Sequence, residues 1–158
     1  RTAHLRLAGY REGLREAGLP FDAALVADAP AFHRLDGAHA MARLLDGLVP
    51  PDAVFAFSDL LALGALRTCH DRGLRVPEDI AIVGFDDIED GRYSVPSLST
   101  VSPDKGQIAR LALDLLVSRL GHEHAEGTPR ARECMARHQL IVRESSAGAV
   151  ASVPLWAR

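Results

Sequence analysis

Residues 53–87 read AVFAFSDLLALGALRTCHDRGLRVPEDIAIVGFDD, and their order decides the fold. Ala53 to Phe57 is a continuous apolar run of strand length, as a strand covered on both faces requires. Ser58 and Asp59 follow at once, and Leu60 to Arg72 reads as a helix with Gly73 as its stop. Pro77-Glu78-Asp79 makes a turn, and Ile80 to Phe85 is a second buried strand running into Asp86-Asp87. Strands alternating with helices in such short steps mark a parallel, doubly wound α/β sheet.

The flanking sequence extends this pattern. Arg1 to Ala17 places Leu5, Ala8, Leu14 and Ala17 near helical spacing and stops at Gly18. Ala23 to Ala27 is a short apolar run that reads as a strand. Asp36 stands in an N-cap position before Ala40, Met41, Leu44, Leu45 and Leu48, a second amphipathic helix ended by Pro50-Pro51. Beyond Asp87 the chain enters a polar loop, Glu89 to Ser94, then a short strand around Ser99 to Val101. Asp104 or Ser102 caps a helix over Gln107 to Leu120, and Gly121 to Arg130 reads as a surface loop. Cys134 to Val142 fits a final edge strand, and the tail from Ala147 lacks periodicity and reads as frayed.

Composition sets limits. A chain of 158 residues suits one α/β domain, and its net charge of −3 supplies no positive field for binding nucleic acid with its bulk. Its apolar runs stop well short of membrane-spanning length. Cys69 and Cys134 lie far apart, which suits a reducing, cytoplasmic compartment. Cys134 and His138 are four apart, but no second pair completes a tetrahedral metal site, and neither metal nor cofactor is expected. The chain carries no Gly-rich phosphate loop, nucleophile elbow or Cys–His signature, so it does not read as an enzyme. It opens at Arg1 without an initiator Met or a signal-peptide pattern, and reads as part of a longer protein.

In open α/β sheets, ligands bind beyond the carboxyl ends of the strands, which nominates Ser58-Asp59 and Asp86-Asp87. Asp59 sits where an N-cap belongs. Asp86 follows Gly84-Phe85 at a strand end with no helix immediately behind it, which favours a ligand role. Adjacent residues leaving a strand diverge, so the two carboxylates need not share a site. Arg6, within Leu5-Arg6-Leu7-Ala8, is either a solvated helix arginine or a planar fork reaching into a cleft to hold hydroxyls or a carboxylate.

Six segments in order carry a resemblance: Arg6–Tyr10, Pro51–Phe55, Asp59–Leu66, Gly73–Ile80, Val83–Asp87 and Pro96–Val101. Together they resemble the lactose/galactose-repressor (LacI/GalR) family of bacterial transcription regulators, over Thr2 to Ser145. The resemblance implies part of a type I periplasmic-binding-protein-like effector domain, in which two α/β subdomains enclose a small metabolite, usually a sugar or nucleoside-like compound. Residues 1–98 would form most of the C-terminal subdomain without its first strand. Residues 99–145 would cross over and complete the N-terminal subdomain, and residues 146–158 would be a disordered tail. Arg6 and Asp86 match the family's effector-binding arginine and aspartate; Ser58 falls where a polar residue precedes the Asp, and Phe32 near an aromatic that packs on the effector. The run before Phe32 departs from the family's Gly-Asp-aromatic pattern, and Pro103 replaces a polar residue.

The resemblance also implies a homodimer, with Leu60 and Leu63 on a helix that helps form its interface; core packing is the other reading of that helix. It implies operator DNA bound through an N-terminal helix-turn-helix absent from this chain, and no membrane partner. The competing reading is a periplasmic sugar-binding transport receptor of the same fold.

Overall fold

The computed structural model describes residues 2–120 and 133–147. Along them run α1 (Thr2–Glu16), α2 (Arg34–Leu45), β1 (Ala53–Phe55), α3 (Asp59–Asp71), β2 (Ala81–Phe85), α4 (Glu89–Tyr93), β3 (Ser99–Pro103), α5 (Lys105–Leu120), β4 (His138–Ile141) and α6 (Glu144–Ala147). One sheet takes the order β1-β2-β3-β4. The first three strands are parallel, with Phe55 opposite Val83 and Phe85 opposite Val101. The α/β fold with a mostly parallel sheet is thus as the sequence predicts.

Helix α3 lies between the sheet and α2. Its Leu61, Ala62, Ala65, Leu66 and Cys69 meet Met41 of α2, Ile80, Ile82 of β2 and Leu98 in the core. Glycines make this layer close: a Cβ on Gly64 would fall 1.9 Å from the Arg34 carbonyl oxygen, and one on Gly37 2.1 Å from that of Leu61. The two helix backbones therefore touch, and no other residue fits at either crossing point. Burial also pushes the Cys69 thiol up to about 11, so it acts as an inert core residue.

Several local expectations need correction. Ala23–Leu25 is a single 3₁₀ turn, not a strand, because the Asp22 carboxylate accepts from the Ala24 amide at 2.8 Å and curls the backbone. The N-cap of α2 is His33; Asp36 stands one turn further in, reaching back to the His33 amide at 3.2 Å. Glu89–Tyr93 forms a short helix where a loop is expected. Of the two candidate caps for α5, Asp104 is used, accepting from the Gln107 amide at 2.8 Å.

The sheet continues through residue 99. Strand β3 pairs with β2, and β4 returns antiparallel to β3 with Val101 opposite Leu140. Ser145 of α6 is fully buried, its hydroxyl donating to the Ile82 carbonyl at 2.6 Å and accepting from the Ser99 amide at 2.8 Å. The segment 138–147 therefore completes the sheet of β1 and β2. Helices α1 and α5 are different, since neither has a buried residue. The expected surface loop at 121–130 and the tail beyond Ala147 lie outside the described residues.

Candidate ligand-binding site

Strands β1 and β2 end side by side, and the chain beyond each turns through a polar pair. After β1 the turn is made by Ser58, which is the N-cap of α3; its hydroxyl oxygen accepts from the Leu61 amide at 3.3 Å. Asp59 is therefore the first residue inside the helix and not its cap. At 1% exposure its carboxylate accepts from the Thr100 hydroxyl at 2.6 Å and the Ile88 amide at 2.9 Å. It lies so close over β2 that a Cβ on Gly84 would fall 2.2 Å from its oxygen. Asp59 thus ties the ends of β1, β2 and β3 together. Only glycine at 84 admits it.

After β2, Asp86 and Asp87 take positive φ values of 112° and 48°. Their carboxylates diverge. Asp86 faces Arg6, whose Nη2 lies 3.4 Å from Oδ1. Arg6 reaches the strand ends from α1: its guanidinium carbon stands 3.7 Å from the centre of the Phe85 ring, and Nη1 donates to the Phe57 carbonyl. The Arg6 side chain is 16% exposed and that of Asp86 40%, so the pair is anchored on the arginine side and open on the carboxylate side. Burial pushes the Asp86 carboxyl above its ordinary value; Arg6 opposes this and the nearby Asp59 adds to it.

Asp87 turns inward and is 8% exposed. It accepts from Arg143 at 2.7 Å, Arg92 at 3.0 Å and Ser102 at 3.2 Å. Burial pushes its carboxyl up, but the two arginines outweigh burial and hold it below the ordinary carboxylate value. Lys105 Nζ donates to the Asp87 carbonyl at 2.9 Å.

The structure therefore brings Arg6 and Asp86 together, with Ser58 buried just behind the turn. Phe32 is 42% exposed on the bend before α2. Leu60 and Leu63 lie half-buried on α3, and Leu63 also packs on the core. Sequence reasoning missed Phe85, Arg92, Lys105, Thr100 and Arg143, and named Asp87 only as one of an acidic pair. Two signals were present: Lys105 is the sole lysine, and Arg143 follows the apolar pair Ile141-Val142. Among the described residues, no three or more His, Cys, Asp or Glu gather as a metal site, and no helix is long and apolar enough to cross a membrane.

A guanidinium and a half-exposed carboxylate at 3.4 Å form a donor–acceptor pair loose enough to admit hydroxyl groups between water and protein. The family model for the periplasmic binding protein-like domain matches residues 1–146.

The chain belongs to the periplasmic binding protein-like domain family.

Among relatives of this domain, the HTH-type transcriptional repressor CytR of Escherichia coli is 38% identical over 143 residues, 90% of this chain and 40% of that protein. The HTH-type transcriptional repressor PurR of Haemophilus influenzae is 36% identical over 144 residues, 91% of this chain and 42% of its own length. Among solved structures, a LacI-family transcriptional regulator from Sanguibacter keddieii is 49% identical, with a TM-score of 0.83 over 92% of this chain and 54% of that one. The transcriptional regulator CelR in complex with cellobiose is 40% identical, with a TM-score of 0.81 over 89% of this chain and 42% of that one. These proteins are regulators by name, in agreement with the resemblance carried by the six sequence segments. This periplasmic binding protein-like chain spans about half the length, or less, of the relatives it matches.

Proposed function

We propose that this chain is the ligand-sensing part of a cytoplasmic, LacI-type transcription regulator that binds a small polyhydroxylated metabolite. The observation that carries the reading is the Arg6–Asp86 pair over Phe85, at the carboxyl ends of β1 and β2. Arg6 donates and Asp86 accepts, a combination that matches the hydroxyls of a sugar or nucleoside better than an apolar ligand; Ser58, 4% exposed and capping α3, stands behind the turn. Phe32 would close over the ligand from the loop before α2. A sugar in the CelR structure supports the ligand class, and regulator names among the relatives favour this reading over a transport receptor.

Asp86 is half-exposed at the strand ends, and α1 and α5 leave large side chains such as Leu5, Leu113 and Val117 exposed. A second α/β subdomain outside this chain would cover them and supply the other half of the contacts. Ligand binding between the subdomains then favours one degree of closure, which alters operator affinity through a helix-turn-helix region elsewhere in the protein. The protein would act as a homodimer, with Leu60 and Leu63 at the two-fold contact. The test is thermal melting of the full-length protein with cellobiose, galactose, ribose and nucleosides, each against wild type and Asp86→Asn. Stabilisation of the wild type by one of them, lost in the variant, supports the reading; a shift retained in the variant removes Asp86 from it.

A further inference from the structure

The Asp86–Asp87 turn poses a question that ligand binding alone does not answer. Neither residue is glycine, yet both hold positive φ, at 112° and 48°. Aspartate enters that region more readily than most L-residues, but two in succession still cost strain that the surroundings must offset. Asp86 itself has few anchors: its amide donates to the Val101 carbonyl at 3.0 Å, and its carboxylate meets Arg6 at 3.4 Å. Asp87 is held far more firmly. Its carboxylate accepts from Arg143 at 2.7 Å and Arg92 at 3.0 Å, and its amide donates to the Thr100 hydroxyl at 3.3 Å. Arg143 is fixed in turn, because Nη1 donates to the Leu98 carbonyl at 2.7 Å and its amide to the Ser99 hydroxyl at 2.7 Å.

We propose that Asp87, clamped by Arg143, is a positioning residue for the ligand site: it holds the turn at positive φ and so keeps the Asp86 carboxylate facing Arg6. The clamp points away from the ligand, and its two partners come from opposite ends of the sequence around β3. Arg143 sits on the returning segment after β4, Arg92 on α4, and Lys105 at the first residue of α5 fixes the Asp87 carbonyl at 2.9 Å. Releasing Arg143 leaves Asp87 half-paired, and the turn then relaxes towards negative φ, swinging Asp86 off Arg6. Affinity for ligand is lost without removal of any group that touches it.

This inference rests on Asp86 being a ligand carboxylate, but its test needs no ligand. In the full-length protein with labelled aspartate, the three-bond HN–Hα couplings of Asp86 and Asp87, taken with their one-bond Cα–Hα couplings, which are smaller at positive φ, report the size and sign of φ. In Arg143→Met, which keeps the stem and removes the guanidinium, both couplings should leave their wild-type values while the circular dichroism of the fold is retained. Arg143→Lys, which restores a charge at the same place, should bring them part of the way back, as a space-filling role for Arg143 would not. Should Arg143→Met not fold, Asp87→Asn is measured in its place, since it weakens both arginine contacts at constant shape. Unchanged couplings in a folded variant overturn the proposal. A sugar that stabilises the wild type should lose about tenfold in affinity in Arg143→Met. Moved couplings with no sugar bound by the wild type would sink the ligand reading and leave the positioning role standing. A bound sugar with unmoved couplings would do the reverse.

Discussion

Arg6 and Asp86 divide the work of the site by their surroundings. Phe85 and the Phe57 carbonyl fix the guanidinium, and Arg6→Lys loses the planar fork that meets the ring, the carbonyl and Asp86 at once. Ligand affinity should fall about 10- to 100-fold, the scale of one or two charged hydrogen bonds, with the fold intact by circular dichroism. Asp86 and Asp87 should respond to pH with opposite signs. The Asp86 carboxyl lies above its ordinary value because of burial, so its ionisation costs stability as pH rises through that raised value. Asp86→Asn should therefore raise the melting temperature slightly at neutral pH, a gain that vanishes as pH falls below the ordinary carboxylate range, where Asp86 is protonated in the folded and unfolded chain alike. A variant that is less stable at pH 7 would show that burial is not what dominates there. The Asp87 carboxyl lies below its ordinary value, so its contribution is present above the ordinary carboxylate range and lost as pH falls through the lowered value. In Asp87→Asn that acid-labile increment should be missing from the stability–pH profile.

At the scale of elements, the α2–α3 crossing is the most constrained feature. A methyl at residue 64 would overlap the Arg34 carbonyl, and backbone cannot swing aside as a flexible side chain can. Gly64→Ala should cost about 1–3 kcal/mol or more in urea unfolding, whereas Gly9→Ala, with nothing near its Cβ position, should cost nothing or stabilise α1. The elements themselves were legible because period and punctuation agreed: Val54, Phe55, Ile82 and Val83 form apolar runs, and Gly18 and Gly73 stop helices at φ 70°. Three of the misreadings share one cause. Short polar side chains choose among nearby amides by fractions of an ångström, which spacing does not encode. Thus Ser58, not Asp59, caps α3; His33, not Asp36, begins α2; and Asp22 turns an apolar run into a 3₁₀ bend. Of the site, Arg6 and Asp86 were visible because a lone cation in an apolar stretch and an acid at a strand end are both out of place. The arginine clamp on Asp87 was not, since Arg143 meets it across 56 residues of sequence.

Over the whole molecule, β4 and α6 fasten the chain's far end back onto β2 and β3, while α1 and α5 have no buried side chains. The first arrangement joins residues 53–103 and the returning segment 138–147 in one sheet; the second leaves the faces that a further subdomain would cover. Assembly is tested best at Leu60, which is half-buried and stands outside the core that Leu63 joins. Leu60→Glu should convert a dimer of the full-length protein to a folded monomer by sedimentation at micromolar concentration; a wild type already monomeric there would remove α3 as a dimer contact. The central claim is that Arg6 and Asp86 together hold the ligand. Isothermal titration of the full-length protein with cellobiose, galactose, ribose and a purine and a pyrimidine nucleoside, in wild type, Arg6→Lys and Asp86→Asn, tests it most directly. At least one of these should bind the wild type saturably, weakened about tenfold or more in each variant. Undiminished affinity in both variants would contradict that claim.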